Sequence, residues 1–163
     1  MFKTVLVAID QSEAAREALD LAIRLARSDN DRLLIVSVLD VSKLIAVAGY
    51  EAPYPVDAIA ILKAGNQELL ADAKSTCVKA GVAAETLMVE GDACDEILRA
   101  AKEQHAGLIC IGTHGRKGLS RLFLGSVAEG VLRSATIPVL AIRPTKGQTA
   151  PGADRPASVQ AAT

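Results

Sequence analysis

The stretch from Thr4 to Arg27 reads TVLVAIDQSEAAREALDLAIRLAR. Its opening, Thr4 to Ile9, is an uninterrupted β-prone apolar run, the pattern of a strand covered on both faces rather than one facing water. Asp10, Gln11 and Ser12 then break the run with turn and capping residues. Beyond them Ala15, Leu19, Ala22, Ile23 and Ala26 recur at helical spacing, which predicts an amphipathic helix from Ser12 to Arg27 capped by Asp10 or Ser12. A buried strand feeding a helix through a short turn is the repeating unit of an α/β layer.

The unit returns along the chain. Runs at Leu33 to Leu39, Thr86 to Val89, Leu108 to Ile111 and Val139 to Ile142 predict four further strands covered on both faces. A long helix is expected from near Pro55 and Val56, burying Ala58, Leu62, Gly65, Leu69, Ala73 and Cys77 and stopping at Gly81. Another runs from about Ala93 to His105, with Cys94, Ile97, Leu98 and Ala101 inward and Asp92 as its cap. A short one runs from Ser126 to Ser134, with Ala128, Val131 and Leu132 inward and Pro138 just beyond it. Right-handed crossovers then dictate a doubly wound, Rossmann-like α/β fold: a five-stranded, mainly parallel sheet, order 3-2-1-4-5, with helices on both faces. Ligands of such sheets bind outside the carboxyl ends of the strands, where the winding reverses. The loops beginning at Asp10 and at Gly112 are the ones expected to meet there.

Composition narrows what this edge can hold. The 163 residues suffice for one core burying roughly 70% of the unfolded surface. Aromatic residues make up 2%, Phe2, Phe123, Tyr50 and Tyr54, which speaks against base-stacking nucleic-acid platforms and against an aromatic-lined flavin pocket. A net charge of −1 lacks the surplus that draws proteins onto nucleic acid or anionic membranes. No apolar run reaches the length of a membrane span, and the run after Lys3 ends at Asp10, too early for a signal peptide. The expectation is a soluble, cytoplasmic protein with no membrane insertion. Cys77, Cys94 and Cys110 show no C-x-x-C spacing and read as small hydrophobes. Residues 41 to 55 are too apolar for an idle loop and are expected to pack as a flap or short helix, whereas the Ala-, Pro- and Gly-rich residues 146 to 163 read as a disordered tail to a domain of residues 1 to 145.

Between Gly112 and Ser126 the chain reads GTHGRKGLSRLFLGS, four glycines with His114, Arg116, Lys117 and Arg121 and no acid. Glycines let backbone amides approach an anion, and the segment runs into a helix start, where free amides and the helix dipole favour negative charge. This is phosphate-binding chemistry, yet neither the P-loop pattern nor the dinucleotide G-x-G-x-x-G is present.

Gly112-Thr-His-Gly115, nine residues, then Gly125-Ser126 matches G-x2-G-x9-G-[ST], and with the Ile-Asp-x-Ser turn after the first strand and the closing Ile137 to Arg143 run the chain resembles the universal stress protein family over residues 1 to 144, in its ATP-binding branch. The resemblance implies an ATP-binding, stress-responsive, cytoplasmic homodimer. By position, Asp10 would contact the ribose, the backbone near Val38 the adenine, and Gly112, Gly115, Gly125 and Ser126 the phosphates, with Val127 lining the site. It also implies that the Val139 to Arg143 strand pairs across a dimer axis. Gln11 stands where many relatives have Gly and would narrow the ribose pocket.

Two roles stand open for several of these residues. Ser126 and Glu129 also fit a capping box; Asp10 also fits a helix cap; His114 and Arg116 fit either phosphate contacts or loop polarity. Mg²⁺ would be held through the nucleotide phosphates, with ADP or AMP as alternative ligands. A nucleotide-dependent regulatory switch acting on an unknown protein partner is expected, with a slow ATP hydrolase or nucleotidyl-transfer enzyme and a dimeric scaffold with an unused site as alternatives; no catalytic set of the phosphoryl-transfer kind is evident.

Overall fold

The computed structural model describes residues 2–41, 56–113 and 124–143. Among the described residues five strands alternate with four helices: β1 (Thr4–Ala8), α1 (Glu13–Asp29), β2 (Arg32–Leu39), α2 (Val56–Lys79), β3 (Ala84–Glu90), α3 (Ala93–Glu103), β4 (Leu108–Gly112), α4 (Ser126–Ser134) and β5 (Val139–Ile142). All neighbouring strands are parallel, in the order β3-β2-β1-β4-β5. This is the doubly wound arrangement expected, and its winding reverses between β1 and β4.

Alternation along the strands divides the core into two layers. Val5, Val7 and Ile9 of the β1 segment, Leu33 and Ile35 of β2, and Leu108 and Cys110 of β4 face α1 and α2. Leu6, Ala8, Leu34, Val36, Ile109 and Ile111 face α3 and α4. Fully burying each of these larger aliphatic side chains contributes about 1.5–3 kcal/mol, so the layers bracketing β1 dominate cohesion. Two-sided burial holds for β1, nearly all of β2 and β4, but not for β3, where Glu85, Thr86 and Glu90 are exposed, nor for β5, which is half-buried throughout. Among the described residues each of those strands has one sheet neighbour and stands at an edge of the sheet. Leu132, expected inward, is 41% exposed, while Ala128 and Val131 of the same helix are buried.

Helix ends follow local chemistry. The Ser12 hydroxyl accepts from the Ala15 amide at 3.2 Å and starts α1, and Asn30, at φ 55°, ends it. Asp92 caps α3, accepting from the Cys94 and Asp95 amides at 2.9 and 3.1 Å. Past α2, Gly81 takes φ 73°, a left-handed turn that glycine adopts without a steric penalty. The buried Asp31 ties the chain's beginning to the α1–β2 turn, its carboxylate accepting from the Phe2 and Lys3 amides at 2.8 and 2.9 Å. Among the described residues no helix is long and apolar enough to cross a membrane.

Candidate functional site

The segments after β1 and β4 and the start of α4 converge on the carboxyl edge of the sheet. After β1, Oδ1 of Asp10 accepts from the Ser12 amide at 3.0 Å and braces the turn. Ser12, not Asp10, is the helix cap. Asp10 is half-buried, and its Oδ2 makes no hydrogen bond among the described residues.

Gly112 closes β4, and a Cβ built on it would lie 2.7 Å from the Ala14 carbonyl carbon, 2.8 Å from the Ala14 Cβ and 2.9 Å from the Ala15 nitrogen. No side chain fits there without moving backbone. Lack of a side chain at Gly112 is therefore first a packing requirement: it lets the first turn of α1 rest on the end of β4 and brings the turn before α1 close to Gly112.

Thr113 was not singled out in the sequence, though it lies inside the glycine signature. It is 2% exposed. Its amide donates to the Ile142 carbonyl at 2.8 Å, and its carbonyl accepts from the Gly125 amide at 2.7 Å. Thr113 is thus bonded both to β5 and to the start of α4, which places Gly125 beside the end of β4.

Gly125, in extended conformation at φ −61° and ψ 145°, is the N-cap of α4, with no side-chain capping bond. Ser126 is the first helical residue and is exposed. The capping box expected of Ser126 and Glu129 is thereby replaced: the cap stands one residue earlier, and Glu129 instead pairs with Arg133 at 2.7 Å. The amides of Ser126, Val127 and Ala128 have no intrahelical acceptor, and the helix dipole adds positive potential at this end. The Val127 side chain packs toward the α3–α4 layer, so its amide is what it offers the edge.

Val38 lies near the end of β2, half-buried, and its carbonyl accepts from Nδ2 of Asn66 at 3.5 Å. Asn66 is 8% exposed. The apolar face expected of α2 does not include it, although it stands four residues before Leu70 and seven before Ala73, both buried. Gln11 reaches toward the same helix, its Nε2 3.8 Å from a Cβ built on Gly65.

His114, Gly115 and Arg116 lie outside the described residues, as do Lys117, Arg121, the expected flap and the expected tail. Among the described residues no group of three His, Cys, Asp or Glu side chains is placed to hold a metal ion. The thiols are not poised as nucleophiles: burial pushes Cys110 up to about 12 and raises Cys77, and burial with Asp92 and Asp95 nearby raises Cys94.

A doubly wound chain with a carboxylate and a helix start on one edge, the first helical amides lacking intrahelical acceptors, belongs to the class of α/β folds suited to anionic ligands. Residues 1–143 match the universal stress protein family, and the chain belongs to it. It is 36% identical over 149 residues to universal stress protein YxiE of Bacillus subtilis, covering 88% of this chain and 100% of the relative. A solved universal stress protein family member from Burkholderia pseudomallei is 34% identical with a TM-score of 0.72, covering 88% of this chain and 97% of that one. Two other solved universal stress proteins carry nucleotides. One, in complex with cAMP, is 26% identical with a TM-score of 0.63 over 88% of this chain and 98% of that one. The other, from Archaeoglobus fulgidus in complex with dAMP, is 28% identical with a TM-score of 0.61 over 87% and 98%.

Proposed function

We propose that the chain binds an adenine nucleotide, ATP with Mg²⁺ held through its phosphates, as a regulatory switch rather than as a turnover enzyme. The supporting observation is the seating of Gly112 on Ala14, which sets the Asp10 turn beside the Gly125 to Ala128 helix start. Ribose hydroxyls would donate to Asp10, whose Oδ2 is uncommitted; phosphates would take the Ser126 to Ala128 amides and the Ser126 hydroxyl, with Gly115, His114 and Arg116 closing from the glycine-rich segment; adenine would lie against the Val38 backbone. The cAMP and dAMP of the two solved relatives share an adenine base. Nucleotide binding alters a surface read by a protein partner. The protomer of residues 1 to 145 works in the cytoplasm as a homodimer through the Val139 to Arg143 edge, whose β5 carries no second neighbour among the described residues.

The test is to identify nucleotide released from freshly purified, denatured protein by chromatography, then titrate the emptied protein calorimetrically with Mg-ATP and follow ADP for hours. Micromolar binding without rapid turnover is the expected result; rapid turnover would favour an ATP hydrolase, and no binding would leave a scaffold. Gly115→Val should abolish binding with an unchanged unfolding midpoint.

A further inference from the structure

The last sheet bond of the β1 segment runs from the Ile9 amide to the Val36 carbonyl, at 2.8 Å. Successive carbonyls of a strand point to opposite sides. The Leu39 carbonyl faces β3, where it accepts from the Gly91 amide at 3.2 Å. The Val38 carbonyl therefore faces the other way, into the space from which the chain has turned off at Asp10.

A side chain, not a strand, meets it there. Nδ2 of Asn66 donates to the Val38 carbonyl at 3.5 Å, the outer limit of hydrogen-bond reach. Farther along α2 the buried stripe is apolar: Leu70, Ala73 and Cys77. Asn66 marks the place where that stripe turns polar, level with the end of β2. Burying a carboxamide is unfavourable unless its polar atoms are used. Oδ1 of Asn66 accepts no hydrogen bond among the described residues, and Nδ2 retains a second hydrogen.

We propose that Asn66 reads the base of the bound nucleotide and selects a 6-amino purine over a 6-oxo purine; this rests on the adenine-nucleotide function proposed above. A carbonyl has two lone pairs, so the Val38 oxygen keeps one for a ligand beside the Oδ1 of Asn66. Two acceptors match the two hydrogens of an exocyclic amine. A 6-oxo group would set a third oxygen against them, leaving Oδ1 of Asn66 and the free lone pair of the Val38 carbonyl without a donor. Gln11 and Gly65 close the neighbouring side, bringing the β1 turn against α2.

Calorimetric titration of the wild-type protein with Mg-ATP, Mg-ITP and the Mg complex of N6,N6-dimethyl-ATP, and of Asn66→Leu with the first two, tests this. Wild-type protein should bind ATP about tenfold or more tightly than either analogue, and Asn66→Leu should lower ATP affinity about tenfold while leaving ITP within about twofold. An ATP-to-ITP preference that is undiminished in Asn66→Leu, or equal losses for both nucleotides, overturns the assignment and leaves the nucleotide-binding function standing. Should Asn66→Leu fail to fold, equal wild-type affinity for ATP and its dimethyl analogue overturns it unaided. Absence of ATP binding to the wild-type protein overturns the proposed function and this assignment together.

Discussion

Gly112 and Ala14 approach so closely that a Cβ on the glycine would stand 2.7 Å from the Ala14 carbonyl carbon. The atoms in the way are backbone of the first turn of α1, which cannot rotate aside like a side-chain tip. Gly112→Ala should therefore lower stability by about 1–3 kcal/mol, read as a lower urea midpoint with an unchanged slope. It should also weaken ATP binding, because displacing α1 moves the Asp10 turn away from the helix start of α4. A midpoint within error of wild type would show that α1 does not rest on β4 in this way.

Ser126 separates capping from ligand contact. Were its hydroxyl the N-cap, Ser126→Ala would cost about 1 kcal/mol. Because Gly125 holds that position without a side-chain bond, the expected change in unfolding free energy is within about 0.5 kcal/mol. ATP affinity should nevertheless fall about tenfold or more, the effect of one lost hydrogen bond to a charged group. Paired chemical denaturation and calorimetry measure both; a stability loss with unchanged affinity would return Ser126 to a capping role.

The fold was legible where burial is two-sided, because apolar runs such as those ending at Ile9 and Ile111 have no other soluble use. It was less legible at the margins: β3 carries Glu85, Thr86 and Glu90 outward, so only its middle looked like a strand. Glycine spacing pointed to the right edge of the sheet but not to the reason for Gly112, since contact with Ala14 joins residues nearly a hundred positions apart. Ser126 with Glu129 matched a capping pattern in one dimension, and a shift of one residue in the helix start dissolved it. Asn66 was invisible for a different reason: one polar side chain on an apolar face carries no periodic signal, and its importance depends on where β1 leaves the sheet.

Asp31 makes stability depend on pH. Burial works against its charged form, yet the donors that close on the carboxylate, the Phe2 and Lys3 amides among them, outweigh it and hold the pKa below its ordinary value. A depressed pKa stabilises the fold at pH above the unfolded value, about 3.9 for Asp, and that contribution is lost as pH falls through the folded value. Asp31→Asn should be less stable at pH 7 by about 1–2 kcal/mol, from weakened hydrogen bonds to a charged acceptor. The gap from wild type should narrow below about pH 4. Parallel urea titrations from pH 7 to about pH 3, spanning that carboxylate range, measure it; a gap that stays constant would remove Asp31 from the acid response.

Thiol chemistry distinguishes the two packed layers from the surface. Cys77 and Cys110 are 0% exposed, and burial raises both, Cys110 to about 12, so neither supplies thiolate to a reagent in solution. Cys94 is half-buried at the start of α3, with a Cβ built on Gly130 only 2.8 Å from its sulfur, so it too is pressed against α4. Its pKa is raised as well, first by burial and then by Asp92 and Asp95. Iodoacetamide at pH 8 should therefore modify one thiol, Cys94, in the native protein, and more slowly than a free cysteine, while denaturant opens all three. Peptide mass mapping after timed quenching identifies the site. Early modification of Cys110 would mean that β4, which carries both the Gly112 contact and the Thr113 clamp, opens far more readily than its burial on both faces allows.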